Sequence, residues 1–204
     1  MKDLAAKGTR MLERKDLLSL EDYAESRDKF RTQVLAHKEH RRVQLGDHVQ
    51  LIFENEMTIK YQIQEMLRIE KVFEVAGIQD ELDAYNPLIP DGDNWKCSML
   101  IQYSDAEERK VRLTELLKIE NRCRVKIGDG EKNFAIADED LERANDDKTS
   151  AVHFLRFQLS GSDVECIRGG AAIVFGVDHE KYDTEEVTVL KETRAALVAD
   201  LADA

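Results

Sequence analysis

Two polar side chains fall where an apolar stripe is expected. Residues 57–75, MTIKYQIQEMLRIEKVFEV, have helical periodicity. Wound at about 100° per residue, the segment exposes Lys60, Gln64, Lys71 and Glu74. Ile59, Met66, Ile69, Val72, Phe73 and Ala76 take the opposite arc, and Gln62 and Glu65 fall inside it. A carboxylate taken out of water is costly unless it is paired, protonated or ligating something. Glu65 is therefore the first candidate for chemistry, as a ligand or general acid/base held on a rigid helix. The competing role is a buried ion pair that only fixes packing. Arg68, three residues on, could supply the cation, or Arg156 could reach it from a strand.

His153 and His179 come next. Each shares strand parity with apolar neighbours: His153 with Leu155 and Phe157, His179 with Phe175 and Val177. Two histidines and a glutamate resemble the ligand set of a non-haem iron or catalytic zinc site. The metal candidates are thus Glu65, His153 and His179. Their spacing matches no ligand signature, because Glu65 is followed by Arg68 where a di-iron bundle carries histidine. A lone histidine on an apolar strand face is more often a satisfied core residue. The wider candidate pocket is Gln62, Glu65, Arg68, His153, Arg156 and His179.

The third candidate is the loop NPLIPDGDN, which holds both prolines of the chain. Asp91, Asp93 and Asn94 lack the glycine and closing glutamate of a calcium-binding EF-hand loop. A partner-binding loop through Pro87, Leu88, Ile89 and Pro90 is the reading we carry forward. If the loop projects, Leu88 and Ile89 are exposed apolar residues. No glycine-rich nucleotide motif and no nucleophile elbow occurs.

These residues must be positioned by a chain of 204 residues, enough for one substantial domain. Acidic residues outnumber basic ones 42 to 30, for a net charge of −12, which disfavours nucleic acid as a partner. The one compact basic run, KEHRR, reads as a helix C-terminus. No apolar run has the length of a membrane span. The first residues carry charges throughout and are unlike a secretory signal, so a cytoplasmic location is expected. Cys97, Cys123 and Cys166 are odd in number and widely spaced, which reads as buried inert thiols.

Residues 19–40 predict a long amphipathic helix capped near Ser19. VQLGDHVQLIFEN predicts a hairpin turning at Gly46-Asp47. The helix carrying Glu65 is expected to stop at Gly77. WKCSMLIQY alternates cleanly, with Trp95, Cys97, Met99 and Ile101 on one side. Further strands are predicted in NRCRVKI, KNFAIA, AVHFLRFQL, AAIVFGVDH and EEVTVL, with a closing helix in KETRAALVADLA. DEDLERANDDKTS reads as an acidic helix or loop. Hairpin-like strand pairs between helices predict an α+β fold: a mainly antiparallel sheet packed with several helices. The expected organisation is an N-terminal extension over residues 1–18 and a single domain over 19–204.

The strings YQIQEMLRIE, ELDAYNPLIPDGDNWKCSMLIQY and IADEDLERANDDKTSAVHFLRFQL, with VDH at 177–179, resemble a bacterial family catalogued as domain of unknown function 3501. The resemblance runs over almost the whole chain. It brings no established activity, so it assigns no catalytic residue. It implies company with rubrerythrin-like di-iron proteins and iron–sulfur oxidoreductases, and so a role beside peroxide or redox metabolism. The first expectation is a cytoplasmic accessory protein that binds such a partner in an oxidative-stress module. The alternative is a metal- or small-molecule-binding enzyme with a pocket around Glu65, Gln62 and His153. A third reading is a homodimer through the first or last helix.

Overall fold

The computed structural model describes residues 10–139, 143–144, 147–182 and 184–202. The chain runs α1 (Leu20–Glu39), β1 (Arg42–Leu45), β2 (Val49–Phe53), α2 (Glu56–Glu70), α3 (Val75–Tyr85), β3 (Asn94–Ile101), α4 (Ala106–Glu115), β4 (Cys123–Ile127), β5 (Asn133–Phe134), β6 (Ile136–Ala137), β7 (Val152–Gln158), α5 (Gly161–Arg168), β8 (Ile173–Val177), β9 (Val187–Thr188) and α6 (Lys191–Ala199). It is a single α+β domain. The acidic stretch after Ala137 falls partly outside the described residues.

The strands form two antiparallel sheets rather than one. The first has five strands in the order β1-β2-β3-β7-β6, and the second has four in the order β5-β4-β8-β9. The segment KNFAIA is split between them: β5 pairs with β4, and after Ala135 the chain crosses so that β6 pairs with β7. Alternation on β3 turns Trp95, Cys97, Met99 and Ile101 onto the second sheet. Phe53, Trp95 and Phe157 of the first sheet meet Phe175 of the second, with ring centroids 5.1 Å apart for Phe53–Phe175 and 5.2 Å for Phe157–Phe175. Truncating one such buried ring typically costs about 3–5 kcal/mol. The predicted hairpin is present, with Leu45 opposite Val49 and Gly46 at φ 60°, where a side chain would be strained.

The helices α1, α2 and α3 build a separate small core around Ile59, Ile63, Leu67, Leu82, Ile89 and Leu12. Helix α2 differs from its sequence reading in phase and length. Asn55 caps it, its side chain accepting from the Thr58 N–H while Thr58 Oγ1 accepts from the Asn55 N–H. The helix stops at Glu70, because Lys71 turns left-handed (φ 55°) and its N–H closes on the Leu67 carbonyl. Gly77 therefore sits inside α3 and terminates nothing. Ile69 and Phe73, placed in the buried arc by the sequence, are 60% and 72% exposed. Gln64, read as exposed, is buried, and its amide bonds both backbone groups of Leu18.

The C-terminal helix is fastened by polar contacts. Trp95 Nε1 donates to the Leu197 carbonyl (2.9 Å). Arg41, 1% exposed, pairs with Asp200 and donates to the carbonyls of Phe53 (2.8 Å) and Glu54 (3.0 Å). Burial pushes the Asp200 carboxyl up against the downward pull of Arg41. Among the described residues no helix is long and apolar enough to cross a membrane.

Removing one partner of a buried ion pair leaves the other charge uncompensated. Arg41→Met is expected to lower unfolding free energy by about 3–5 kcal/mol. The exposed control Arg112→Met is expected to change it by less than about 1 kcal/mol. Urea denaturation followed by Trp95 fluorescence measures both.

Candidate functional site

The structure separates the residues that the sequence grouped. Glu65 is an arginine-locked carboxylate. Arg27 of α1 grips it with Nε on Oε1 (2.7 Å) and Nη2 on Oε2 (2.9 Å). The Tyr23 hydroxyl donates to Oε1 (2.7 Å), and Arg68 reaches Oε2 at 3.3 Å. The Arg27 bonds hold the Glu65 carboxyl down to about 2, against the upward push of burial. Arg68 is thus a partner as expected, Arg156 and His153 are not, and the main partner was missed. It comes from α1, one helix away, and no local spacing signals it. The role is to bolt α1 to α2.

His153 is fully buried, and both its ring nitrogens are engaged. Nδ1 lies 2.6 Å from Asp138 Oδ2, and Nε2 lies 2.8 Å from Thr149 Oγ1 and 3.0 Å from the Ser150 carbonyl. Thr149 Oγ1 donates in turn to Glu120 Oε2 (3.1 Å). His179 staples its own loop: Nε2 donates to the Leu117 carbonyl (3.0 Å) and Nδ1 accepts from the Lys181 N–H (3.2 Å). Glu65, His153 and His179 share no partner. Among the described residues no three His, Cys, Asp or Glu side chains are grouped to hold a metal ion. The metal-site expectation therefore fails on geometry there.

The proline loop does not project. Asn86 is buried and bonds both backbone groups of Leu12, which pins the loop to the N-terminal segment. Ile89, at 3% exposure, joins the helical core and Pro90 is buried, while Pro87 is exposed and Leu88 half-buried. Asn94 donates to the carboxylates of Asp91 (3.0 Å) and Asp93 (2.9 Å), closing the turn on itself. Cys97 and Cys123 are buried, and burial pushes the Cys123 thiol up to about 12. Cys166 departs from its reading and is exposed on α5.

Two of the candidates meet at a place not expected. The helical core and the main core do not merge. Along the outer face of the first sheet run two adjoining cavities that share Leu88 and Phe154: the inner lies under α1, α2 and Tyr85 of α3, the outer under Met11 and the proline loop. The outer cavity, about 470 Å³, lies against Pro87, Lys96 and Arg156. Its charges are matched: Arg156 grips Glu139 with Nε (2.7 Å) and Nη2 (2.8 Å), and Lys96 bonds Asp91 (2.8 Å). The inner cavity, about 300 Å³, lies against Ile52, Glu54, Gln62, Ser98 and Lys38. Volumes of this size suit small organic ligands.

Glu54 is the residue that the sequence reading missed. It is 6% exposed, and Ser98 Oγ donates to its Oε1 (2.7 Å). Among the described residues it has no ion-pair partner, and the amide of Gln62 makes no hydrogen bond. The available signal was parity: Glu54 continues the Gln50–Ile52 face of β2, which the following helix covers.

The family model described as protein of unknown function (DUF3501) matches residues 11–201. The chain belongs to this family. A crystal structure of a protein described as novel and of unknown function, from Burkholderia pseudomallei, is 45% identical, with a TM-score of 0.91 over 95% of this chain and 100% of that one. The α+β fold and the family resemblance both stand on these matches. A search of curated proteins returned no match.

Replacing Glu65 by Gln is expected to cost about 1–3 kcal/mol of stability, since charge-assisted hydrogen bonds are lost. The folded carboxyl sits near 2, against an ordinary value of 4.5. Its contribution is therefore complete above about 4.5 and fades as pH falls toward about 2. The stability gap between wild type and Glu65→Gln should narrow across that window, as followed by urea denaturation at a series of pH values.

Proposed function

We propose that this protein binds a small organic molecule in the crevice between its helical layer and its first sheet. The observation that carries the reading is the inner cavity, where a nine-tenths-buried carboxylate without an ion-pair partner among the described residues adjoins an amide that makes no hydrogen bond among them. A carboxylate so placed is poorly compensated unless something else meets it. The apolar walls from Ile52, Leu88, Leu100 and Phe154 supply a body-binding surface, and the few polar groups supply orientation. The pocket keeps Gln62 from the expected set and replaces Glu65 and His153 with Glu54 and Ser98.

A second reading is the accessory protein that docks a partner. It is favoured by Ile69, Phe73 and Val75, which are 60%, 72% and 60% exposed around the α2–α3 junction. A rubrerythrin-like or iron–sulfur protein is the partner to test first, on the company that the resemblance implies. The cytoplasm is the compartment in which we place either role.

The two readings separate in one experiment. Leu88 borders both cavities, so Leu88→Trp narrows both, whereas Phe73→Asp leaves them as they are and alters the exposed α2–α3 patch and a separate cavity that Phe73 lines with Leu20 and Ile78. Titration with anilinonaphthalene sulfonate is expected to show affinity reduced about tenfold or more by Leu88→Trp. Equal affinity for wild type and folded Leu88→Trp would remove the crevice reading. Capture of a purified rubrerythrin-like protein by wild type but not by Phe73→Asp would establish the second.

A further inference from the structure

The polar groups of the inner cavity restrict what can fill it. Glu54 brings one negative charge, and Ser98 Oγ already donates to one of its oxygens. Lys38, in the last turn of α1, borders the same cavity and has no ion pair among the described residues. Gln62 adds a neutral amide that can donate or accept. A plain hydrocarbon would leave the Glu54 carboxylate desolvated and unmatched. An anion would meet Glu54 as a like charge. A simple amine would satisfy Glu54 but place a second cation beside Lys38. A molecule with both charges on an apolar body meets every group.

We propose that the inner cavity is a site for a small zwitterion, an α-amino acid with an apolar side chain being its simplest form. Glu54 and Ser98 take the ammonium, Lys38 and Gln62 take the carboxylate, and the side chain lies toward Leu88 and Phe154. The volume of about 300 Å³ sits at the small end of ligand sites. The outer cavity gives longer side chains a continuation, with its own charges already matched. This assignment rests on the reading of the crevice as a ligand site and adds the chemistry of the ligand.

The test is calorimetric titration of the full chain with L-leucine and L-phenylalanine. Isoamylamine and isocaproate, which keep only one of the two charged groups of leucine, serve as comparisons. At least one amino acid should bind, and isoamylamine and isocaproate should bind about tenfold or more weakly than leucine. Glu54→Gln retains an acceptor for Ser98, and should weaken amino-acid binding about tenfold or more; Lys38→Met should do the same. Lys38 is half-exposed, so its variant tests the site even if Glu54→Gln folds poorly; circular dichroism checks both.

Amine binding as tight as leucine binding overturns the assignment. So does unchanged affinity in either folded variant. If no amino acid binds while anilinonaphthalene sulfonate still binds in a Leu88-sensitive way, the zwitterion is wrong and the ligand-site reading stands. Loss of both signals removes both.

Discussion

Arg41 places a buried guanidinium where the first helix, the end of β2 and the C-terminal helix meet. It pairs with Asp200 beyond α6 and donates to the carbonyls of Phe53 and Glu54. One cation thereby fixes the strand end from which two functions diverge. The Phe53 side chain turns inward to the aromatic cluster with Trp95 and Phe175. The next side chain, Glu54, turns outward into the crevice. The arrangement tolerates a buried charge because a carboxylate and backbone carbonyls surround it. Without that clamp, the β2 end and the α6 dock would lose a common anchor.

The crevice follows from a mismatch between two surfaces. The inner face of the first sheet is aromatic and aliphatic and closes against the second sheet. Its outer face mixes Ile52, Leu100 and Phe154 with Lys96, Ser98 and Arg156, and is only half-buried. The helical layer answers with its own core around Ile63, Leu67 and Leu82 rather than burying its stripe into the sheet. Two cores that do not merge leave space between them, and the polar residues of the sheet face line it. The bolt between Arg27 and Glu65 holds α1 to α2 within that layer.

Much of the fold was legible because it rests on local periodicity. Ser19 capping α1, the Gly46 hairpin and the alternation of Trp95, Cys97, Met99 and Ile101 are all read within a few residues. The misreadings on α2 are of length and phase. Helix α2 was wound past Lys71, where a left-handed residue ends it. The apolar stripe was also set at the wrong phase, with Ile69 inside and Gln64 outside. Glu65 was singled out as a buried acid; it is half-buried, and its main cation comes from Arg27 on another helix. Likewise His153 met Asp138, fifteen residues back, through the β6–β7 pairing.

The sequence by itself determined the α+β class, the antiparallel hairpins and the inward face of each main strand. These depend on spacing along the chain, and spacing is written in the chain. Only the tertiary structure decided which buried carboxylate is locked and which is unmatched. Glu65 and Glu54 are both acids beside apolar residues, and no local pattern tells them apart. The difference lies in what other elements bring near: two arginines and a tyrosine for one, a single serine hydroxyl and a cavity for the other. A charge is satisfied by partners close in space, and those partners are set by packing between distant segments.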